Sequence, residues 1–118
     1  MTARPVFKYN PSLANPVWVD DRALGLRYRI PSLEAALANK YGAMLTLNRN
    51  LQRRGLDTVD FGWMVKHSVD AGRQPIDLQK LATLGEKVWP GGGGAEILRL
   101  VEQAKGGRAI NLDSLGAV

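Results

Sequence analysis

The sequence contains no cysteine, a single histidine and no long apolar run, and each absence removes a class of protein. Without cysteine the chain forms neither disulfides nor thiolate metal sites, as is typical of proteins in a reducing compartment. One histidine, His67, is too few for a histidine pair or a multi-histidine metal site within one chain. The lack of about 18 consecutive apolar residues and of an apolar signal segment predicts a cytoplasmic protein without membrane contact.

The remaining polar residues do not form a recognisable catalytic set. Asp57 and Asp60 lie at a predicted helix start, where carboxylates favour capping over catalysis. The four glycines at 91–94 precede a predicted helix but lack a following Lys-Ser/Thr pair, so a flexible joint is favoured over a phosphate cradle. The sequence therefore predicts no enzyme, no cofactor and no metal site.

Length and charge indicate one soluble domain with an uneven surface. The chain has 118 residues, 45% of them hydrophobic, and a formal net charge of +5. Residues 1–54 contain nine lysines and arginines against three acidic residues, whereas residues 55–118 contain seven against eight. Such asymmetry is typical of proteins with an acidic partner, although ordinary soluble domains also show it.

The first thirty residues predict an extended arm and a β-hairpin. Three prolines exclude a helix from residues 1–16, an arm that nevertheless carries the apolar side chains of Phe7, Tyr9 and Leu13. Residues 17–19 and 26–30 predict two strands, the second with Leu26, Tyr28 and Ile30 facing inward and Arg27 and Arg29 outward.

Helical spacing replaces the alternating pattern after residue 31. It predicts about five short helices: one capped by Ser32 and stopped at Gly42, one over 43–54, one capped by Asp57 or Thr58, one opened by Asp77, and one after the glycines. Met44, Met64, Trp63 and Trp89 favour core positions over an adaptable contact surface. The predicted fold class is mostly α within α+β, as a single domain over 17–107 followed by a C-terminal tail over 108–118.

Both ends carry apolar side chains that predict docking, on the protein itself or on a neighbour. The predicted partner-binding residues are apolar residues at the two ends of the chain, together with arginines of the predicted hairpin and of the helix predicted over 43–54. They are Phe7, Tyr9, Leu13, Arg27, Arg29, Arg49, Arg53, Arg54, Ile110, Leu112 and Leu115. Nucleic acid is the less favoured partner, because Tyr28 alternates with the arginines and a stacking platform needs aromatics and cations on one face.

Residues 25–107 resemble the tail assembly chaperones of phages and gene-transfer agents. The resemblance lies in the strand Leu26-Arg27-Tyr28-Arg29-Ile30, the small-residue helix Ser32-Leu33-Glu34-Ala35-Ala36-Leu37, and the glycine-ended helices that follow. It implies a non-enzymatic protein that binds segments of other particle proteins, such as the tape measure, in the host cytoplasm. A second copy of the chain, in a homo-oligomer, is a further candidate partner. The alternatives in function are a structural virion component (head, connector or tail subunit) whose arms lace subunits together, and a small basic nucleic-acid-binding protein.

Overall fold

The computed structural model of the chain describes residues 17–30, 32–46, 50–70 and 75–115. Within these ranges a two-stranded antiparallel hairpin precedes four α-helices and a short 3-10 turn. The elements are β1 (Val17–Asp21), β2 (Leu26–Ile30), α1 (Leu33–Leu45), α2 (Leu51–Asp70), α3 (Leu78–Val88), α4 (Gly93–Lys105) and the 3-10 turn Leu112–Ser114. The predicted mostly helical character is confirmed, whereas the arm predicted at 1–16 lies outside the described residues.

Two helix starts follow the local capping chemistry of the sequence. The hydroxyl of Ser32 accepts a hydrogen bond from the backbone N–H of Ala35 at 3.1 Å, at the start of α1. The carboxylate of Asp77 accepts one from the backbone N–H of Lys80 at 3.1 Å, at the start of α3. Each side chain satisfies an N–H group that the first helical turn would otherwise leave unpaired.

The described ranges contain four α-helices rather than five, because two glycines expected to end helices lie inside them. Gly42 continues α1 to Leu45, and a Cβ at this position would be 3.4 Å from Val88 of α3, an ordinary contact. Gly55 lies within α2, which begins at Leu51. The predicted helix over 43–54 is thus divided between the end of α1 and the start of α2.

Asn50 performs the capping role that the sequence assigned to Asp57 or Thr58. Its side-chain oxygen accepts a hydrogen bond from the backbone N–H of Gln52 at 2.8 Å, next to the first turn of α2. Asp57 instead lies inside α2 and is buried. Its carboxylate is 3.5 Å from Nζ of Lys40 on α1, so its contribution is an ion pair between helices.

The core lies where four helix pairs meet: α1 with α2, α1 with α3, α3 with α4, and α2 with α4. This closed cycle of contacts buries apolar side chains from every helix. The largest fully buried side chains include Tyr41 and Met44 of α1, Phe61 of α2, Leu81 of α3 and Leu100 of α4. The described residues therefore share one core, and the chain has no cysteine with which to support it by a disulfide.

The helices α3 and α4 cross at a contact made of glycines. A Cβ on Gly85 would lie 2.6 Å from Cγ2 of Ile97 and 2.8 Å from the carbonyl oxygen of Gly93. A Cβ on Gly93 would collide with the carbonyl oxygen of Gly85. The last two of the four glycines are thus buried in the first turn of α4 and serve close packing, where the sequence predicted a flexible joint.

The hairpin pairs in a simple register but does not bury its predicted inner face completely. Trp18 is opposite Arg29 and Asp20 is opposite Arg27. Leu26, expected to point inward, is 56% exposed, a correction to the predicted alternation. The guanidinium of Arg27 lies 4.7 Å from the ring centroid of Trp18 and 3.6 Å from the carboxylate of Asp20. Trp18 therefore lies on the same face of the hairpin as a cation. For Tyr28, by contrast, the sequence pattern predicted the face opposite the arginines.

Candidate partner-binding surface

One face of α2 presents large apolar side chains to solvent. Leu56, Val59 and Trp63 are 58%, 65% and 64% exposed. Their spacing of three and four residues places them in one row along the helix. The buried residues Phe61 and Val65 lie roughly opposite this row, at about 100° of rotation per residue. We call Leu56, Val59 and Trp63 the α2 stripe.

The ring of Trp63 is held by a stacking contact with His67. The two ring centroids are 4.7 Å apart and the planes differ by 6°. His67 is one helical turn after Trp63 and is half-buried. The stack restrains the indole, so Trp63 needs to lose less side-chain freedom when a partner covers it.

A cavity of about 530 Å³ lies between α2 and the segment that follows α4. Val59 and Trp63 line one side, and Ala104 and Ile110 line the other. Its remaining lining residues are Thr58, Gly62, Lys66, His67, Gly107, Arg108 and Ala109. We call this cavity the α2 groove; its volume falls within the roughly 300–1,000 Å³ range of ligand pockets.

A second cavity, of about 810 Å³, shares Trp63 and His67 with the α2 groove. It lies between the starts of α1 and α3 and the second half of α2. Its charged lining residues already interact: Nζ of Lys80 is 3.7 Å from the carboxylate of Glu34, which also accepts a 3.4 Å hydrogen bond from the backbone N–H of Asp77. Trp63 therefore lies between the two cavities and lines both of them.

The glycine turn before α4 already holds an anion from the chain itself. The carboxylate of Glu86 accepts hydrogen bonds from the backbone N–H of Gly91 at 2.6 Å and of Gly94 at 3.1 Å. These N–H groups are the ones that a phosphate would need, so an internal carboxylate takes the place of the phosphate considered from the sequence. The hydrogen bonds, led by that of Gly91, hold the pKa of Glu86 below its ordinary value of 4.5.

We expect Glu86→Gln to lower the free energy of unfolding at neutral pH and to have little effect in acid. A lowered folded-state pKa means that the ionised carboxylate stabilises the fold above pH 4.5, and that this contribution is lost as the pH falls below that value. Urea unfolding at pH 7 and in acid measures the difference between the two proteins. Glu102→Gln, at an exposed position of α4, is the control. Its difference from the wild type in free energy of unfolding should be the same at both pH values.

The arginines predicted to bind a partner do not form one patch. Arg27 is exposed but engaged by Trp18 and Asp20, and Arg53 is exposed on the first turn of α2. Arg54 is half-buried, and its Nε donates a 2.8 Å hydrogen bond to the carbonyl oxygen of Met44 near the end of α1. Of Arg29, in β2, only the backbone is described, and Arg49 lies outside the described residues.

The predicted apolar residues of the C-terminal segment pack on the chain's own helices. Leu115 is 1% exposed and belongs to the core, which leaves no side-chain surface for a partner. Leu112 and Ile110 are half-buried against the core, and Ile110 also lines the α2 groove. Phe7, Tyr9 and Leu13 lie outside the described residues, so their predicted docking stays a prediction.

An ionic cluster joins α2 to α1. Nζ of Lys40 lies 3.1 Å from the carboxylate of Asp60 and 3.5 Å from that of Asp57. The hydrogen bond to Asp60 is the main reason that the pKa of Lys40 is raised above its ordinary value of 10.5. Both carboxylates that could be considered for acid–base chemistry are thus committed to holding two helices together.

The sequence interpretation missed the α2 stripe, although a signal for it was present. Leu56, Val59 and Trp63 repeat at helical spacing on the side opposite Phe61 and Val65, so α2 carries two apolar rows where a surface helix needs one. Trp63 was expected in the core, and that expectation is wrong, since it is mostly exposed. Met44 is buried, and Met64 and Trp89 are partly buried against the core.

Comparison of the chain with protein-family models, with curated proteins and with solved structures finds no match. Across the described ranges, no group of three histidine, aspartate or glutamate side chains is placed to hold a metal ion. No helix in the same ranges has both the length and the apolar content needed to cross a bilayer.

Proposed function

We propose that the protein is a non-catalytic assembly protein that binds an apolar segment of another particle protein through the α2 stripe, in the manner of a tail assembly chaperone. The observation that carries this proposal is the second apolar row of α2, which lies opposite the row that the core buries. A stable fold does not require it, because burial of Phe61 and Val65 already anchors the helix. Contiguous exposed apolar surface beside recesses is typical of protein-binding sites.

The stripe has the composition of a binding hot spot. Tryptophan buries a large area at low conformational cost and is enriched among the residues that dominate protein interfaces. Trp63 also stands between two cavities that can accept side chains from a partner lying across the helix. An amphipathic helical segment placed against α2 would shield Leu56, Val59 and Trp63 together, which is the helix-in-groove mode of recognition.

The resemblance to tail assembly chaperones supports a particular class of partner. It covers residues 25–107, which include all of α2, and implies binding to the tape measure or another long tail protein. The resemblance implies that hydrophobic or extended segments of such a protein need protection from aggregation before assembly. The proposed function is to cover them in the cytoplasm of the host until assembly.

We expect Val59→Ser combined with Trp63→Ser to weaken partner binding at least tenfold while the protein stays folded. Both side chains are mostly exposed, so their loss removes binding surface with little cost to the core. The measurement is co-expression with the tape-measure protein of the same particle, followed by the soluble fraction of the tail protein and the affinity of the purified pair.

The matched control is Leu51→Ser combined with Leu78→Ser, which removes two exposed apolar residues outside the stripe. This control should retain the complex and the solubility of the tail protein. Equal loss of binding in both double variants, or unchanged binding in both, would contradict a role for the α2 stripe. Circular dichroism of each variant separates a loss of binding from a loss of fold.

The other functions considered predict different results in the same experiments. A structural virion component would remain in finished particles at a fixed ratio to other subunits, whereas a chaperone would be absent from them. A nucleic-acid-binding protein would bind oligonucleotides with an affinity that falls steeply with salt. The Trp18–Arg27 contact is the observation that supports this last candidate, because it places an exposed aromatic ring beside a cation.

A further inference from the structure

The α2 groove combines an apolar floor with charges of one sign only. Its apolar lining includes Val59, Trp63 and Ile110, and its charged lining consists of Lys66 and Arg108. Among the residues that the structure describes, neither an aspartate nor a glutamate lines it. The second cavity contrasts with it, because there Lys80 is paired with Glu34. The α2 groove therefore attracts anions, and the second cavity carries its own counter-charge.

The two cations of the groove come from separate elements of the fold. Lys66 lies on α2, and Arg108 follows α4 at the opposite wall of the groove. Both residues are exposed, and neither makes an ion pair with another described residue. A segment entering the groove would thus meet one positive charge on each side of its apolar contacts.

On this basis, and resting on the proposed function, we propose that the partner segment is acidic: its apolar residues enter the α2 groove, and flanking aspartate or glutamate side chains pair with Lys66 and Arg108. Complementary charge raises the rate of association and excludes wrong partners more than it adds affinity. Lys66 and Arg108 thereby explain how an apolar groove selects acidic segments over other apolar segments. Apolar segments with basic flanks are disfavoured by the same charges.

Two other occupants fit the charge of the groove less well. The chain's own residues 1–16 contain Arg4 and Lys8 and no acidic side chain, so they carry the same sign as the groove. A second copy bound through the same face would bring Lys66 and Arg108 of both copies close to one another, because a two-fold contact pairs a patch with itself. Both arrangements add repulsion where an acidic segment adds attraction.

The test uses three synthetic peptides of equal length and the full-length protein. The first has leucines at helical spacing with glutamates between them, the second replaces the glutamates with lysines, and the third keeps the glutamates but replaces the leucines with serines. We expect the first peptide to bind at least about tenfold more tightly than either of the others, with an affinity that weakens as salt is added. Fluorescence anisotropy of labelled peptides measures all three.

Reversing the two charges of the α2 groove should make the protein prefer the basic peptide over the acidic one. In Lys66→Glu combined with Arg108→Glu, we expect the acidic peptide to lose about tenfold in affinity and the basic peptide to gain. The matched control, Arg22→Glu combined with Lys87→Glu, changes the net charge equally at two exposed positions outside the groove. Arg22 follows β1 and Lys87 lies on α3, and neither element lines the groove. This control should retain the preference for the acidic peptide.

Each result separates this inference from the proposed function. Equal binding of the acidic and basic peptides, or the same exchange of preference in the control, overturns the acidic partner. Suppose that the acidic and basic peptides bind equally well, and that both lose affinity in the Val59→Ser and Trp63→Ser double variant. The α2 stripe then binds partners without distinguishing their charge. If no peptide binds while the tail protein is still held in solution, the acidic segment is refuted and the proposed function stands.

Discussion

Gly93→Ala is expected to lower the free energy of unfolding by about 3 kcal/mol, within the range for overpacked cores. An alanine at an ordinary helical position stabilises a helix by roughly 0.5–1 kcal/mol relative to glycine. Here the added Cβ would collide with the backbone carbonyl of Gly85, which cannot move away as a flexible side chain could. Relief would require α3 and α4 to separate, which would open the packing around Ile97. The steric cost therefore exceeds the gain in helix propensity.

Gly55→Ala is the matched control, because it makes the same chemical change in α2. A Cβ at Gly55 meets no atom within 4 Å, and the residue has no positive φ. This variant should raise the free energy of unfolding by up to about 1 kcal/mol. Urea denaturation of both variants gives the two signs directly. A Gly93→Ala protein as stable as the wild type would show that the close crossing of α3 and α4 is not required.

The glycine crossing illustrates what the sequence could not predict. Four consecutive glycines are typical of a flexible joint when judged locally, because each lowers the cost of unusual backbone angles. Whether a Cβ fits is decided by the helix on the other side, and Gly85 is six residues away from the nearest of the four. Only the positive φ of 95° at Gly91 reflects the local freedom that the sequence suggested.

Local chemistry nevertheless predicted several features correctly. Ser32 and Asp77 cap their helices, since a side-chain oxygen three residues before a backbone N–H needs no distant partner. Asp57 was misjudged for the opposite reason. Its role depends on Lys40 of α1, and that contact is made only when the helices assemble.

The candidate site was only partly accessible from the sequence for a related reason. The spacing of Leu56, Val59 and Trp63 could be recognised, but periodicity alone does not say which of two apolar rows faces the core. The pairing of α2 with α1 and α4 decides this, and it buries Phe61 and Val65. The α2 groove also needs the segment after α4, which is more than forty residues away in the chain.

A buried hydrogen bond joins α1 to α4, and we expect its loss to lower the free energy of unfolding substantially. The hydroxyl of Tyr41 donates to the carboxylate of Glu96 at 2.7 Å, and both residues are buried. The other carboxylate oxygen lies 3.2 Å from the guanidinium of Arg99, whose side chain is about half exposed. Glu96 thus brings a carboxylate into the core, where its loss of water must be offset by such partners.

Tyr41→Phe should lower the free energy of unfolding by about 2 kcal/mol, because it removes a donor from a buried carboxylate and leaves the ring in place. Glu96→Leu should also destabilise, since it leaves the Tyr41 hydroxyl without this acceptor. The double variant should be more stable than the sum of the two losses implies, by at least about 1 kcal/mol, because replacing both partners leaves neither polar group buried alone. Urea denaturation of the four proteins completes the cycle, with Glu102→Gln as an exposed control on α4. Strictly additive losses would show that the contact between Tyr41 and Glu96 does not couple α1 to α4.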